Sequence, residues 1–216
     1  MSKSIKHHLT DDLLMAYAAG TLPEAFDLMV ATHLSLCDHC RARAESFDAV
    51  GGQVLDDQAG SVAMYDASLA ATMALIAQGA PSPKPARPGC AVLPTPLQDY
   101  VGGTVADIRW KSIGMGVKQA ILPTTKEATA RLLFIPAGAA VPDHGHQGME
   151  LTMVLQGAFS DEVDHFARGD VEIADEDLEH TPVADISEDC ICLAVTDAPL
   201  KFNKLMPRLF QPFLRI

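Results

Sequence analysis

The sequence has no long apolar run. No window approaches the roughly 18 consecutive apolar residues that a membrane-spanning helix needs, and the N-terminus, MSKSIKHHLTDD, lacks the apolar core of a secretion signal. We therefore expect a cytoplasmic protein with no membrane contact. Only five cysteines are present, and in a reducing compartment we expect metal-binding or redox roles for them instead of a disulfide framework.

Basic residues are also scarce. The chain has 16 Lys and Arg against 28 Asp and Glu, a formal net charge of -12. Such a surface repels phosphate backbones, so we expect no direct nucleic-acid binding and a preference for basic protein partners. Solubility alone can also account for this charge. Aromatic residues make up only 6%, but the hydrophobic share of 48% is ordinary for a chain with a packed core.

A proline-rich stretch divides the chain. Residues 79–97 read GAPSPKPARPGCAVLPTPL, with six prolines and no apolar periodicity. Proline fixes φ and removes a backbone donor, so this stretch is predicted to be an extended linker. We therefore expect two domains, residues 1–80 and residues 98–216, joined by a linker at 81–97.

The two domains differ in their periodicity. The first is predicted to be helical: Thr10 is a good N-cap before one helix, a second begins with Pro23 as its first residue, a third follows Cys37, and a fourth covers about 61–78. In the second domain, short runs such as RLLFIP, LTMVLQG, VEIA and CICLAV indicate strands. No long helical pattern separates these runs, so an antiparallel sandwich or barrel is expected.

A set of histidines and cysteines in the first domain has metal-ligand spacing. His33 and Cys37 are four residues apart, which places them on one face of a helix, and Cys37 and Cys40 form a C-x-x-C that can bind one tetrahedral ion. A closed zinc site needs a fourth ligand, which His8 or its neighbour His7 can supply. A redox-active cysteine pair is the alternative, but it would need a βαβ context that this segment lacks.

A second set lies in the strand-rich domain. His144 and His146 are two apart and so point to the same face of a strand. Glu150 shares their parity, and His180 follows later in the chain. Three imidazoles and a carboxylate can bind zinc, iron, manganese or nickel.

Two further features have open interpretations. Cys190 and Cys192 flank Ile191 and face the same side of a strand; they are either small core residues or an oxidant-sensitive pair near the metal. Residues 161–189 carry twelve acids against one base, Arg168; they could form a recognition surface, but a solvated face of the sheet and its loops is the favoured interpretation.

The pattern H-x(24)-H-x3-C-x2-C in a small helical domain resembles the zinc-binding anti-sigma domain of bacterial regulators. The matching residues are His8, His33, Cys37 and Cys40, and the choice of His8 over His7 comes from this resemblance. It implies a structural zinc, and a domain that wraps around an extracytoplasmic-function sigma factor and blocks its access to RNA polymerase.

The pattern G-x5-H-x-H-x3-E-x6-G resembles the first motif of the cupins. The matching residues are Gly138, His144, His146, Glu150 and Gly157. The second motif keeps Gly169 and His180, but Asp175 and Asp177 replace the usual Pro and Gly, and Ala184 replaces the usual Asn. The resemblance implies a cupin fold with zinc or another divalent transition metal, while the departures argue against ordinary cupin enzymology.

The order of the two domains resembles that of the ChrR-type zinc-binding anti-sigma factors over essentially the whole chain. The resemblance implies a multi-domain α and β protein, with a small zinc-bound helical bundle followed by an antiparallel β-sandwich or barrel of the cupin type. It also implies a non-enzymatic regulator that releases its sigma factor in response to singlet oxygen or related oxidative stress through the cupin domain. The alternative is a metal-dependent cupin enzyme, a dioxygenase or isomerase, with a helical accessory domain.

Overall fold

The computed structural model describes residues 4–58, 60, 63, 65, 67–79 and 89–199, together with the backbone of residues 201–202. The first part of the predicted linker, residues 81–88, lies outside the described residues, as do residues 203–216. The domain boundaries at 80 and 98 therefore stay predictions.

The first part of the chain is helical. Its described helices are α1 Asp11–Ala18, α2 Glu24–Leu34, α3 Asp38–Gln58 and α4 Ser68–Ala77. A further helix, α5 Thr95–Val101, directly precedes the strands. Helix α1 begins as expected, because the Thr10 hydroxyl accepts a hydrogen bond from the Leu13 backbone N–H at 3.4 Å. Pro23 precedes α2 as its N-cap and is not its first helical residue, because its ψ of 147° is extended.

The second part of the chain is built from short strands. The described strands are β1 Lys111–Gly114, β2 Val117–Ile121, β3 Thr129–Ile135, β4 His144–Gly145, β5 Glu150–Gln156, β6 Ala158–Ser160, β7 His165–Ala167, β8 Val171–Ala174, β9 Glu179–His180, β10 Val183–Ala184, β11 Cys190–Thr196 and β12 Lys201–Phe202. They form a six-stranded sheet in the order β1-β2-β3-β11-β5-β8 and two three-stranded sheets, β10-β6-β7 and β12-β4-β9. Every pairing in these sheets is antiparallel, as predicted.

The central strand β11 is buried along its whole length, because both faces of the large sheet are covered. On one face, the sheet residues Leu132 and Leu193 share a core with Met29 of α2 and Leu97 of α5. On the other face, a second core includes Val154 and Phe159 and reaches into the smaller sheets. Helix α2 therefore packs on the six-stranded sheet, and the helical part and the sheet bury apolar surface together.

No helix among the described residues is long and apolar enough to cross a membrane.

Candidate metal centres

The helical-region centre lies where the segment before α1 meets the end of α2 and the start of α3. Its four side chains are His8, His33, Cys37 and Cys40. Their ligand atoms all lie within 4.8 Å of one another, and Nδ1 of His8 lies 3.3 Å from the Cys37 sulfur and 3.5 Å from the Cys40 sulfur. The structure thus brings together the four residues that the resemblance implied.

His7 and His8 point to different places. Nε2 of His7 lies 3.1 Å from a carboxylate oxygen of Asp164, and its ring lies 4.4 Å from the ring of Phe166, measured between centroids. His8 is the histidine of this pair that faces the two cysteines, so the geometry favours the alternative that the resemblance implied.

His33 has the protonation state that a metal ligand needs. Burial lowers its pKa to about 4, so the ring is neutral at pH 7. Its Nδ1–H donates to the backbone oxygen of Gly169 at 3.0 Å, which leaves the lone pair on Nε2. That Nε2 is buried and has no hydrogen-bond partner among the described residues. A buried nitrogen without a partner is costly, and a metal ion at the centre would satisfy it.

The two thiols also fit a cation. Burial, together with the neighbouring Cys37, raises the pKa of Cys40 to about 11, and a divalent ion would offset the cost of the thiolate form. Two imidazoles and two thiolates make up one of the common tetrahedral sets of structural zinc. These residues therefore fit a closed site with no position left for a substrate.

The cupin centre lies between β4, β9 and the start of β5. His144 in β4 is paired in register with His180 in β9, and their Nε2 atoms are 3.2 Å apart. The ring of His146 lies 5.3 Å from that of His144 and 5.2 Å from that of His180. Ligand nitrogens of the three buried histidines lie within 4.8 Å of one another.

Glu150 lies at the edge of this group and outside the 4.8 Å set. Its Oε2 is 3.4 Å from Nδ1 of His146, and its Oε1 accepts from the Thr152 hydroxyl at 3.0 Å. Although burial acts to raise it, the neighbouring imidazoles lower the pKa of Glu150 below its ordinary value. The carboxylate is thus charged and close enough to join the histidines around a divalent ion.

Two acids behind His180 were missed by the sequence analysis. Nδ1 of His180 lies 2.9 Å from Oε1 of Glu172 and 3.0 Å from Oδ2 of Asp161. Burial alone would lower the pKa of His180, but these two partners raise it to about 9, while burial raises the pKa of Glu172 to about 7. Glu172 is buried and Asp161 half-buried, so the interpretation of 161–189 as a solvated face was wrong for these two positions. Glu172 comes from β8 and Asp161 from the residue after β6, and only the folded sheets bring both to the histidine in β9.

The comparisons with known proteins agree on one family. A family model described as the ChrR cupin-like domain matches residues 98–200. The anti-sigma-E factor ChrR of Cereibacter sphaeroides is 61% identical over 213 residues, which cover 99% of this chain and 100% of that protein. The chain belongs to the ChrR family of anti-sigma factors. The family resemblance is thereby confirmed.

The ChrR fold is confirmed as well. The crystal structure of Rhodobacter sphaeroides SigE in complex with the anti-sigma ChrR contains a chain that matches with a TM-score of 0.78 and 58% identity, covering 89% of this chain and 99% of that one. The helical region followed by a cupin-like sheet domain is the predicted fold class. The relative is named as an anti-sigma factor, which fits a regulatory role.

The altered second motif of this ChrR-family chain still makes a turn before β9. The side chain of Asp175 accepts from the Asp177 backbone N–H at 3.1 Å, and the backbone carbonyl of Asp175 accepts from the Leu178 N–H at 3.2 Å. An aspartate can cap a turn in this way without the Pro and Gly of the usual motif. His180 therefore reaches the centre despite the departure.

The ChrR-family chain keeps Cys190 and Cys192 inside the core between the sheets. Their sulfurs are 3.4 Å apart and both residues are buried. The hydrogen bond between the thiols and their burial raise the pKa of Cys192 well above its ordinary value, and the nearby charges of Glu172 and Glu150 add to the shift. The pair is thus buried core sulfur that lies close to the cupin centre, and both of its open interpretations stand.

Proposed function

We propose that this protein binds and inhibits an extracytoplasmic-function sigma factor through its helical region, and releases it through the cupin domain in response to singlet oxygen or related oxidative stress. The ChrR relative that forms a complex with SigE supports the choice of partner. The observation that carries the proposal on this chain is an apolar helical surface with nothing packed on it among the described residues.

That surface is helix α4, and the second half of α3 adds further exposed apolar side chains. Helix α4 reads SLAATMALIA, and none of its residues is buried; Leu69, Leu75 and Ile76 are each at least 65% exposed. In α3, Val54 and Leu55 are likewise exposed. Exposing a helix that is apolar all round to water is energetically unfavourable, so a protein partner is expected to cover it.

The charge of the chain suits the same partner. Sigma-factor surfaces that contact promoter DNA need basic residues, and a chain with a net charge of -12 complements them. In this proposal, residues 1–80 bind the sigma factor, 81–97 form the linker, and 98–216 sense the oxidant. The site of action is the cytoplasm, where RNA polymerase works.

The two centres have different roles in this proposal. His8, His33, Cys37 and Cys40 hold a structural zinc, because a closed set of two nitrogens and two thiolates fits that ion and ties the segment before α1 to α2 and α3. His144, His146, Glu150 and His180 hold zinc or another divalent transition metal. The cupin centre serves sensing and not turnover, which separates this proposal from a cupin dioxygenase or isomerase.

The test uses the full chain co-expressed with an extracytoplasmic-function sigma factor. Ile76→Asp places a charge on the apolar α4 surface and is expected to abolish co-purification. The matched control is Ile186→Asp in the cupin domain, since Ile186 is 91% exposed and lies far along the chain from α4. Equal recovery of the sigma factor with both variants, or turnover of a small substrate by the wild-type chain, would contradict the proposal.

A further inference from the structure

A backbone carbonyl of the cupin supports a ligand of the helical-region centre. Gly169, in the turn between β7 and β8, accepts the hydrogen bond from Nδ1 of His33 at 3.0 Å. This residue has a φ of +91°, and an added Cβ would lie 2.6 Å from Cδ1 of Ile5. The positive φ favours glycine at this position, and the missing side chain leaves room for Ile5 of the segment that carries His8.

The next residue holds that segment directly. Oδ1 of Asp170 accepts from the backbone N–H groups of Lys6 at 2.6 Å and His7 at 2.9 Å, and Oδ2 accepts from the Ala167 N–H at 2.9 Å. The Val171 N–H in turn donates to the His7 oxygen at 3.2 Å. Asp170 is only 2% exposed, so water cannot readily replace it. The position of His8, one residue later, depends on these bonds.

The same short segment reaches the cupin centre. Glu172 is buried, and its Oε1 lies 2.9 Å from Nδ1 of His180. His180 turns its opposite nitrogen, Nε2, toward Nε2 of His144 at 3.2 Å. An acceptor on the second nitrogen of a ligating histidine orients the ring, and removing one typically costs 10–100-fold in metal affinity. Residues 169 and 172 are roughly 10 Å apart along an extended chain, at about 3.3 Å per residue.

We propose that residues 169–172, called the shared support below, position ligands of both metal centres. When the cupin ligands lose their fixed positions, the shared support shifts, and the centre that contains Cys37 and Cys40 then holds its metal less tightly. Glu172 belongs to a strand that is hydrogen-bonded to β5, so a shift of its side chain is passed to Asp170 and Gly169 through one short length of backbone. The significance for sigma-factor release rests on the proposed function, whereas the positioning itself does not.

The first measurement is zinc release from the full chain. The zinc-loaded protein is mixed with a chelator and a thiol reagent, and labelling of the peptide that contains Cys37 and Cys40 is followed by mass spectrometry. Asp170→Asn keeps the shape of the side chain but turns an NH2 group toward at least one of the backbone N–H groups that the carboxylate accepts. Labelling is therefore expected to be at least about tenfold faster than in the wild type. The matched control is Asp107→Asn, whose carboxylate likewise accepts a backbone N–H, from Thr104 at 2.8 Å, but belongs to neither ligand group; it is expected to match the wild type.

The second measurement tests the coupling between the two metal centres and leaves residues 169–172 unchanged. His144→Ala removes a cupin ligand, and both thiol labelling and hydrogen exchange of the Lys6 and His7 amides are followed in the full chain. Both rates are expected to rise at least about fivefold, the lower end of ordinary coupling between sites. Unchanged rates here, or wild-type labelling of a folded Asp170→Asn, would overturn the proposal. No sigma factor is present in either measurement, so a failure of sigma binding is seen separately.

Discussion

Nε2 of His144 and Nε2 of His180 face each other at 3.2 Å across the β4–β9 pair. Nδ1 of His144 donates to the Pro142 oxygen at 2.9 Å, and Nδ1 of His180 lies at the same distance from Glu172. With hydrogens on both Nδ1 atoms, the two Nε2 lone pairs point at each other, an arrangement that a bound cation or a proton stabilises. This geometry is the reason to treat the pair as ligands and not as a surface histidine pair.

The helical-region centre gives the first prediction. Cys37→Ser and Cys40→Ser should each lower the zinc content by about one ion per chain, because the closed set needs all four ligands, and should abolish sigma binding, because the zinc ties the helices together. Metal analysis and co-purification measure both effects. Cys90→Ser is the control, since Cys90 is in neither ligand group, and full inhibition by both zinc-site variants would contradict the structural role.

The cupin centre gives a prediction of the opposite kind. In zinc-supplemented medium, Ala variants of His144, His146, Glu150 or His180 should still repress the sigma factor, because excess zinc keeps the helical-region centre loaded even where zinc exchange is faster. None of these residues is in α3 or α4. The variants should nevertheless fail to release the sigma factor on exposure to singlet oxygen. A reporter gene driven by the sigma factor measures both states. His165→Ala is the control, because His165 contacts Asp185 at 3.2 Å and no ligand. Constitutive sigma activity in the ligand variants would count against this division of roles.

The contact between α2 and α5 gives a pH prediction. The Tyr100 hydroxyl donates to Oε1 of Glu24 at 2.7 Å, and burial together with that carboxylate raises the pKa of Tyr100 to about 12 from 10.0. The phenol is neutral in both the folded and unfolded states below pH 10, so stability is unaffected there; between pH 10 and 12 only the unfolded state releases the proton, and stability falls.

Ultraviolet titration of tyrosinate, with Tyr100→Phe subtracted, measures this pKa. Glu24→Gln is expected to move the midpoint down toward 10, whereas Glu45→Gln on the exposed side of α3 should leave it in place. The same midpoint in Glu24→Gln and the wild type would show that the carboxylate does not act on the phenol.

The shared core gives a stability prediction. Met29 of α2 is 0% exposed and belongs to the core that also contains Leu193 of the sheet. Met29→Ala should therefore lower the free energy of unfolding by about 2–5 kcal/mol, whereas Met15→Ala on exposed α1 surface should change it by less than about 0.5 kcal/mol. Denaturant unfolding of the zinc-loaded chain, followed by helical circular dichroism and by Trp110 fluorescence, measures both. Two separate transitions would show that α2 and the sheet do not unfold as one unit.

Several features of this protein follow from the sequence by itself, because they depend on local spacing. His33, Cys37 and Cys40 lie within eight residues, so a helix end and the turn after it bring them together regardless of the rest of the fold. The same holds for His144 and His146, which share one face of an extended segment, and for the antiparallel sheet, which short strands separated by turns require. Where a ligand is distant, as His8 is, family spacing and not geometry selected it over His7.

Only the tertiary structure decided which groups stand behind the ligands. Glu172, Asp161 and Gly169 lie in an acid-rich stretch with no ligand spacing. The folded sheets place Glu172 and Asp161 at His180, and the packing of α2 on the sheet places Gly169 at His33. The packing of α2 on the cupin sheet could likewise not be predicted from the sequence. An apolar helix face indicates that some surface covers it, but does not identify that surface. The contact between His33 and Gly169 joins residues 136 positions apart, and no local periodicity records it.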